Sequence, residues 1–591
     1  MALVDFPFKP GLYSDTTDRG IGKLSQWKNG DRVRFYRGFP ETIGGWTQAG
    51  APALTGTPRA AADWQTLRLE DLIAVGTNSR LYILDGIALH DIVPIRATAT
   101  LTDPFDTVSA SSTVTVTDSA HGAVAGDYVS FSGATAVGGL TIDGAYDVLA
   151  VTDVDHYTID AGTPASSTAT GGGTVSVEYG INTGLVDSAV LTGYGVGPYG
   201  LDAYGTPRTP GFVKPAQLWS LDNWGEDLIA CYRDGDIYVW QSSMGPLVHA
   251  TLIANAPTDN KFIFVSQEDR HLIALGADGD PMLIRWCTQE DYDDWTPTVT
   301  NTAGDKRLDQ GNQLMCAVKL RGEHLLFTDA AVYSMQFVGP PDTYGFRPMG
   351  SNYGFLGPNA VREFEGKAFW MGARGFYYYD GAVHDLECPV LDHVFGDINL
   401  VERFKIHTAF NYRFSEIWWF YASEASVEID RYVAFNPVEN VWTFGTLDRT
   451  VMIADSDVLV TPYGFSPDGV FYYHENGTDA DGAPLNPFLE TGDMEISIQN
   501  DQAGNLLAHV SKYIPDFERL AGEVQFTVTG RKYPQDSEAQ ASGPHTVDNT
   551  TKFVNPRMRC RQVYMRWESI NLGDTWRMGI VRMDLIPHGG R

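Results

Sequence analysis

The sequence predicts an all-β protein with about seven β-propeller-like repeats, an inserted small β domain and a C-terminal β-sandwich. The composition favours strands, because 28 Tyr, 29 Phe and 14 Trp are punctuated at short intervals by 61 Gly and 31 Pro. A short strand pattern recurs at nearly constant spacing, and Asx-Gly turns accompany it. At 591 residues the chain is too long for one ordinary core, so several domains or a repeat array are expected.

The recurring pattern is a polar pair, four or five apolar residues, a turn and then an aromatic-rich strand. Copies begin near positions 71, 226, 270, 322, 366, 414 and 468, and the starts from 226 onward differ by 44, 52, 44, 48 and 54 residues. This spacing is close to one four-stranded propeller blade per repeat. The accompanying turns tolerate the positive φ of tight hairpins; they are Asp85-Gly86, Asp234-Gly235, Asp278-Gly279, Asp380-Gly381, Asp468-Gly469 and Asn476-Gly477.

The sequence changes character between the first two copies of the repeat. Residues 97–180 hold ten acids and no Lys or Arg, and they show short alternating strands such as 113–117. We interpret this segment as an autonomous β-barrel or sandwich inserted into a blade loop. The predicted domains are the N-terminal segment with the first propeller strands (1–96), the insert (97–180), a Gly/Tyr/Pro-rich linker (181–217), the blades (218–484) and the C-terminal β-sandwich (485–591).

Charge is distributed unevenly along the chain. The net charge is −32, yet residues 1–37 and 512–591 each net +3, so residues 38–511 net −38. An acidic body argues against a patch that holds nucleic acid by counterion release. The basic segments instead predict contacts with acidic partner surfaces, with an ordinary solvated strand face as the alternative. The candidate assembly contacts are Arg32, Arg34 and Arg37, where period two places the first two on one strand face, and Arg559, Arg561 and Arg566.

No catalytic, metal or cofactor site is predicted. The phosphate-loop, His-Glu-x-x-His and Gly-x-Ser-x-Gly motifs are missing from the sequence. The five cysteines lie at least 29 positions apart, which predicts buried, reduced thiols. Asp479-x-Asp481 imitates a calcium loop, but the following Ala483 and Pro484 favour hairpin acids. The glycines of 195–200 match a dinucleotide fingerprint, yet the surrounding prolines favour an aromatic-glycine loop.

Carbohydrate chemistry remains an alternative at this point. The acids of 291–294 before Trp295 suit a solvated turn, and the blade signature of sialidases is missing, but 74 acids leave a facing carboxylate pair open. The run 418–421 could form a sugar-stacking platform, although successive strand residues face both ways and at least two must be core. Since no apolar run reaches 18 residues and the opening ten residues lack a secretory core, we expect cytosolic synthesis and no membrane span.

Six stretches of the chain carry a family likeness: Phe6 to Ser14, Trp27 to Phe35, Gly44 to Trp46, Trp219 to Ile229, Tyr238 to Trp240 and Gly477 to Gly482. They resemble the tail nozzle, or tail tubular protein B, family of short-tailed phages and related prophages. The resemblance covers most of the chain except 97–180. It implies a structural virion protein and not an enzyme.

In that family a propeller-bearing subunit forms a ring, six-fold by resemblance, at the distal end of the tail. The implied partners are other copies of the chain, an upstream tail adaptor, a downstream needle or tail fibre, and double-stranded DNA that passes without specific binding. An acidic wall would suit such a conduit, because it offers no cations to the phosphates. The alternatives are a tail-associated glycan hydrolase or lectin and a host propeller scaffold.

Overall fold

The computed structural model describes residues 2–181, 184–191, 212–453, 456, 458–495, 507–533, 535–536 and 540–587. The chain divides into two compact units, residues 51–348 and residues 1–50 with 349–591. Nearly all regular structure is β-strand. The glycine motif of 195–200 lies outside the described residues.

The unit of 51–348 contains four sheets of four strands, each in simple meander order. Blade 1 comprises Pro58–Gln65, Asp71–Thr77, Leu81–Asp85 and Ala88–Asp91, and blade 2 comprises Trp219–Trp224, Asp227–Tyr232, Ile237–Trp240 and Thr251–Leu252. Blade 3 comprises Phe262–Ser266, His271–Leu275, Leu283–Trp286 and Gly304–Arg307, and blade 4 comprises Leu314–Leu320, Glu323–Thr328, Ala331–Gly339 and Thr343–Ser351.

The recurring apolar pattern of the sequence corresponds to the second strand of blades 1 to 6. His271–Leu275 in blade 3 is buried along its whole length. A strand buried on both faces shows a continuous apolar run instead of an alternation, which is why the pattern is easy to recognise. In the seventh copy the pattern belongs to the third strand, Phe471–His474. The Asx-Gly turns behave as expected; Asp234, for example, has a φ of 64°.

The insert is an eight-stranded sheet that is nearly closed into a barrel. In hydrogen-bonding order its strands are Ile95–Thr102, Thr174–Gly180, Tyr128–Ser132, Gly144–Val151, His156–Asp160, Thr113–Thr117, Phe105–Thr107 and Ala169–Gly171. It has its own core, in which Phe105, Phe131 and Tyr157 are buried together. Because it follows the fourth strand of blade 1, the insert lies between two blades, and the prediction that it interrupts a blade loop is wrong.

The other unit holds three further blades. Blade 5 comprises Val361–Phe364, Lys367–Met371, Phe376–Tyr379 and Val383–Leu386, and blade 6 comprises His407–Asn411, Glu416–Tyr421, Arg431–Asn436 and Val441–Thr446. Blade 7 comprises Val451–Ile453, Tyr463–Phe465 and Phe471–His474, and its fourth strand is Trp46–Gln48 from the N-terminal segment.

The C-terminal β-sandwich shares this unit and also takes up N-terminal strands. Its first sheet orders Ala2–Phe6, Val581–Pro587, Ala508–Ile514 and Met558–Cys560. Its second orders Lys9–Leu12, Gln26–Asp31, Phe488–Thr491, Gln562–Glu568, Val524–Arg531 and Gln540–Val547, with Met494–Glu495 paired to Gln562–Glu568. Its third orders Val33–Tyr36, Phe39–Thr42, Thr575–Met578 and Phe517–Ala521.

The described remainder is short. It consists of the pair Ala189–Leu191 and Phe212–Lys214, the helices Asp18–Lys23 and Leu391–Asp397, and the 3-10 turns Ser242–Met244 and Arg403–Lys405. The predicted fold class is confirmed, with seven blade-like sheets, an inserted β domain and a C-terminal β-sandwich. A further feature differs from the sequence interpretation: residues 2–48 add strands to blade 7 and to all three sandwich sheets.

Candidate functional site: an arginine-lined cleft

The three N-terminal arginines predicted as assembly contacts occupy three different environments. Arg32 stands between two strands with a φ of 55°, is half-buried and donates from Nη1 to the carbonyl oxygen of Leu485. Arg34 is only 1% exposed, whereas Arg37 is exposed in the following turn. Because the strand is interrupted at Arg32, the prediction that Arg32 and Arg34 share one strand face toward a partner is wrong.

The Arg34 guanidinium is held by two carboxylates of its own unit. Nη1 donates to Glu475 Oε2 at 3.1 Å, Nη2 donates to Glu475 Oε1, and Nε lies 3.4 Å from Glu416 Oε1. The Phe414 ring covers the group, with the guanidinium carbon 3.6 Å from the ring centroid. Bidentate pairing and aromatic stacking both suit a guanidinium. Arg34 is therefore a structural residue and not an available assembly contact.

Two carboxylates share this guanidinium, and the more deeply buried of them, Glu416, has a raised pKa. Burial raises the pKa of Glu416, and the nearby Glu475 and Glu41 carboxylates raise it further. Arg34 opposes the shift only in part, so the pKa of Glu416 is about 7. Burial by itself would lower the pKa of Arg34, but Glu416 and Glu475 raise it above its ordinary value. Arg34 thus offsets only part of the cost of burying the Glu416 carboxylate, which changes its charge near neutral pH.

The three C-terminal candidates do not form a cluster with the N-terminal ones. Arg566 is half-buried, lies 2.6 Å from Glu490 and 2.8 Å from Glu568, and stacks 4.0 Å from the Phe488 ring centroid. These contacts lie within the second sandwich sheet, and they occupy the guanidinium of Arg566. Arg559 is exposed, and Arg561 is half-buried with its guanidinium 5.0 Å from the Tyr533 ring centroid. The six predicted residues are therefore not one surface.

The structure instead brings four arginines around one cleft. Its volume is about 270 Å³, and five of its seven lining residues also line a neighbouring cavity of about 320 Å³. The walls come from the Val33–Tyr36 and Phe39–Thr42 hairpin, the turn after His407–Asn411, and two adjacent sandwich strands. The lining residues are Tyr36, Arg37, Glu41, Arg413, Phe414, Arg519 and Arg577.

Arg577 is the fixed cation of this cleft. It is 8% exposed, donates from Nη2 to the Tyr36 carbonyl oxygen at 3.1 Å, and lies 3.2 Å from Glu518 Oε2 through Nη1. Its Nε is 3.7 Å from Glu41 Oε2. Burial raises the pKa of the half-buried Glu41 although Arg34 and Arg577 lower it. The cleft is therefore a desolvated place for a carboxylate, and one acid of the chain already occupies part of it.

The remaining cations of the cleft stay accessible. Arg37, Arg413 and Arg519 are exposed, and within the described residues their side chains form no ion pair. Arg413 lies with its guanidinium 5.2 Å from the Phe414 ring centroid. The lining of the cleft therefore contains four cations and one acid, Glu41. This local excess of positive charge contrasts with the net charge of −32 for the whole chain. Such an arrangement can bind carboxylates or other oxyanions by paired hydrogen bonds.

Most of the cleft was missed at the level of sequence. Arg519 and Arg577 belong to the basic C-terminal segment, but no spacing distinguishes them from the other arginines there. Arg413 lies in a blade turn beside Tyr412 and Phe414, where an arginine has no special local signal. The only usable sign was the excess of positive charge in the terminal segments.

The other sequence candidates take structural places. Asp479 Oδ1 accepts from the Gly482 amide at 2.7 Å within its own turn, as hairpin acids do, and Asp481 Oδ1 accepts from the Gln48 amide of an N-terminal strand at 3.3 Å. Asp294 accepts from Thr288 and from Asn301 within one turn. All four residues of the aromatic run are buried; they are Trp418, Trp419, Phe420 and Tyr421. That strand therefore presents no exposed sugar-stacking face.

Thiol and metal chemistry have little support in the described part of the chain. The five cysteines are unpaired and four are buried, with Cys388 intermediate. Burial raises the pKa of Cys287 and of Cys560 to about 12, so these thiols stay protonated. The described residues contain no group of three or more His, Cys, Asp or Glu positioned for a metal ion. Among the described residues, the helices lack the length and the apolar composition of a membrane-spanning helix.

Comparisons with known proteins identify no family for the chain. No family model and no curated protein sequence matches it. Among solved structures it is similar to Kluyvelomyces marxianus Hsv2, with 9% identity, 58% of this chain and 97% of that chain covered, and a TM-score of 0.28. It is also similar to the AfRom2 CNH domain, with 12% identity, 47% and 86% coverage and a TM-score of 0.29.

A protein from Lactobacillus plantarum is similar as well, with 12% identity, 50% of this chain and 86% of that chain covered, and a TM-score of 0.29. All three scores are too low to support an argument about function or detailed structure. The assignment of blades therefore rests on the sheets of this chain.

Proposed function

We propose that the chain is a structural subunit of the tail nozzle of a short-tailed phage or prophage. In this proposal several copies, six by resemblance, form a ring that carries DNA out of the virion. The ring binds a tail adaptor on one side and a needle or fibre on the other. The chain is not an enzyme, and its place of action is the virion after synthesis in the host cytoplasm.

The observation that carries the proposal is the way the N-terminal segment is built into the unit. The stretches of 6–14, 27–35 and 44–46 that resemble nozzle proteins lie in or beside strands that complete four different sheets. Ala2–Phe6 pairs antiparallel with Val581–Pro587, and Trp46–Gln48 completes blade 7. The residues that carry the resemblance are thus scaffold residues, as expected for a structural subunit.

This construction suits a part that is under mechanical load. To pull the N-terminal segment out, the strands of four sheets would have to separate, and each is held by a ladder of backbone hydrogen bonds. The acidic body adds a second property, because net −38 over residues 38–511 disfavours retention of phosphates. Both properties match a conduit better than a hydrolase or lectin, whose aromatic candidate platform is buried.

Localisation on purified particles tests the proposal. Antibodies raised against the purified full chain should label the distal tail end of virions from the source strain in negative-stain images. The purified chain should not retain duplex DNA at about 150 mM salt, since the acidic body offers few phosphate contacts. Label that is missing from the particles would refute the proposal. So would release of reducing ends from host polysaccharide that a single Asp or Glu substitution abolishes.

A further inference from the structure

We propose that the arginine-lined cleft is a contact between copies of this chain, in which it receives carboxylate side chains from the acidic body of a second copy. The inference deepens the proposed function and rests on it, since a ring subunit needs a defined contact with its neighbour. The cleft comprises Tyr36, Arg37, Glu41, Arg413, Phe414, Arg519 and Arg577.

The first argument is that three of its guanidinium groups form no ion pair within the described residues. Acids are nonetheless close, because Arg519 lowers the pKa of Glu41 and the main chain of the Arg37 turn donates to Glu439. Other cations of this acidic chain do form ion pairs: the half-buried Arg285 lies 2.7 Å from Asp278 and the exposed Arg307 lies 2.7 Å from Asp280. Other exposed arginines, such as Arg374, also lack an ion pair within the described residues, so the distinguishing feature is that three of them line one cleft. They are Arg37, Arg413 and Arg519.

The second argument is that the cleft is already organised for a carboxylate. Arg577 is fixed by the Tyr36 carbonyl oxygen and by Glu518, so its guanidinium loses little freedom when another group binds beside it. Glu41 shows that a half-buried carboxylate is stable at this place. The Tyr36 and Phe414 rings meet edge to face at 5.4 Å and give the cleft an aromatic wall. Guanidinium groups that pack against aromatic rings keep their edges free for bidentate pairing.

The third argument concerns which anion can enter. A recess of about 270 Å³ admits one or two carboxylate side chains. Residues 38–511 net −38, so the chain itself is rich in such side chains. Every other copy has the same acidic body, so each cleft in solution is accompanied by one acidic body that can supply carboxylates. Within the acidic body, the insert has the most uneven balance of charge, because residues 97–180 hold ten acids and no Lys or Arg.

Sedimentation velocity of the full chain tests the inference. The wild type should associate at about 50 mM salt and dissociate at about 500 mM, where surface charge pairs are screened. The charge reversal Arg413→Glu with Arg519→Glu should weaken association at low salt by at least about 10-fold. The neutral pair Arg413→Gln with Arg519→Gln should give an intermediate loss. Circular dichroism melts confirm folding, which these exposed positions should not alter.

A matched control separates the cleft from net charge. Lys367→Glu with Arg374→Glu makes the same change in charge at two exposed positions of the same unit outside the cleft. This control should associate like the wild type. The inference is overturned if the cleft reversal associates as the control does, or if the wild type is monomeric at both salts. A gel shift of a duplex by the wild type that the cleft reversal abolishes also overturns it, in favour of nucleic acid.

The inference and the proposed function can fail separately. If the chain labels the tail end of virions and the cleft reversal still associates, only the inference fails. If the chain is missing from virions, the nozzle proposal fails whatever the sedimentation result.

Discussion

The buried Glu416 carboxylate gives a pH-dependent stability that a single substitution should remove. Glu416 is 3% exposed, its Oε1 lies 3.4 Å from Arg34 Nε, and its Oε2 accepts from Trp418 Nε1 at 3.2 Å. Glu416→Gln keeps the shape and an acceptor for the indole but carries no charge. We therefore expect the variant to be more stable than the wild type in alkaline solution and close to it in acid.

The magnitude follows from the pKa of Glu416, which rises from 4.5 to about 7 in the folded chain. Because the folded pKa is the higher one, the stability that its proton confers is fully present below about pH 4.5 and is lost as the pH rises through about 7. The whole shift corresponds to about 3 kcal/mol at 1.36 kcal/mol per pKa unit. Between about pH 5 and about pH 8, the variant should gain roughly 2 to 3 kcal/mol on the wild type.

Urea unfolding at those two pH values, followed by tryptophan fluorescence and circular dichroism, measures the difference. Glu365→Gln removes one negative charge from an exposed position of the same unit and serves as the control. Parallel pH profiles for Glu416→Gln and the wild type would refute the reasoning. A variant that is less stable at both pH values would show instead that Glu416 is ionised and that its pairing with Arg34 prevails over burial.

Three further predictions follow from particular contacts. Arg34→Glu should destabilise the chain by about 3 to 5 kcal/mol in urea unfolding, because it leaves buried acids without their cation, rather than acting only on assembly. Gly45→Ala should lower the thermal midpoint, since an added Cβ would lie 2.3 Å from the Asp479 carbonyl oxygen, whereas Gly396→Ala meets nothing within 4 Å and should not. Deletion of 97–180 with a Gly/Ser linker should leave cooperative unfolding in calorimetry, because the insert has a separate core; loss of cooperativity would contradict this.

The fold could be predicted from sequence because its signals are local. The second strand of blades 1 to 6 is a short apolar run between turn residues, and Asx-Gly pairs mark hairpins such as the one at Asp234. Both features depend only on neighbouring residues, so their spacing shows seven blades without knowledge of any contact. The composition of 97–180 likewise indicates an independent insert, and the structure gives it a core of its own.

The cleft could not be predicted, because its residues meet through strand pairing over long distances in the chain. Glu41 pairs with Arg577 across two sandwich strands, and Arg413 reaches the same place from a blade turn. Arginine and glutamate are common in exposed loops and strands, so the residue types alone do not mark the cleft. Only the surplus of basic residues in 1–37 and 512–591 indicated that these two segments share a role in binding acidic surfaces.

The sequence by itself determined the class of the fold, the number of blades and the acidic character of the body, because strand periodicity, turn chemistry and charge are properties of short segments. Tertiary structure decided which arginines are buried and which are accessible. Arg34 and Arg37 are three positions apart in the same basic segment, yet one is 1% exposed and the other is exposed. The difference arises because Glu416 and Glu475, which are remote in sequence, fold against Arg34 and remove it from solvent, while Arg37 lies in a turn at the cleft.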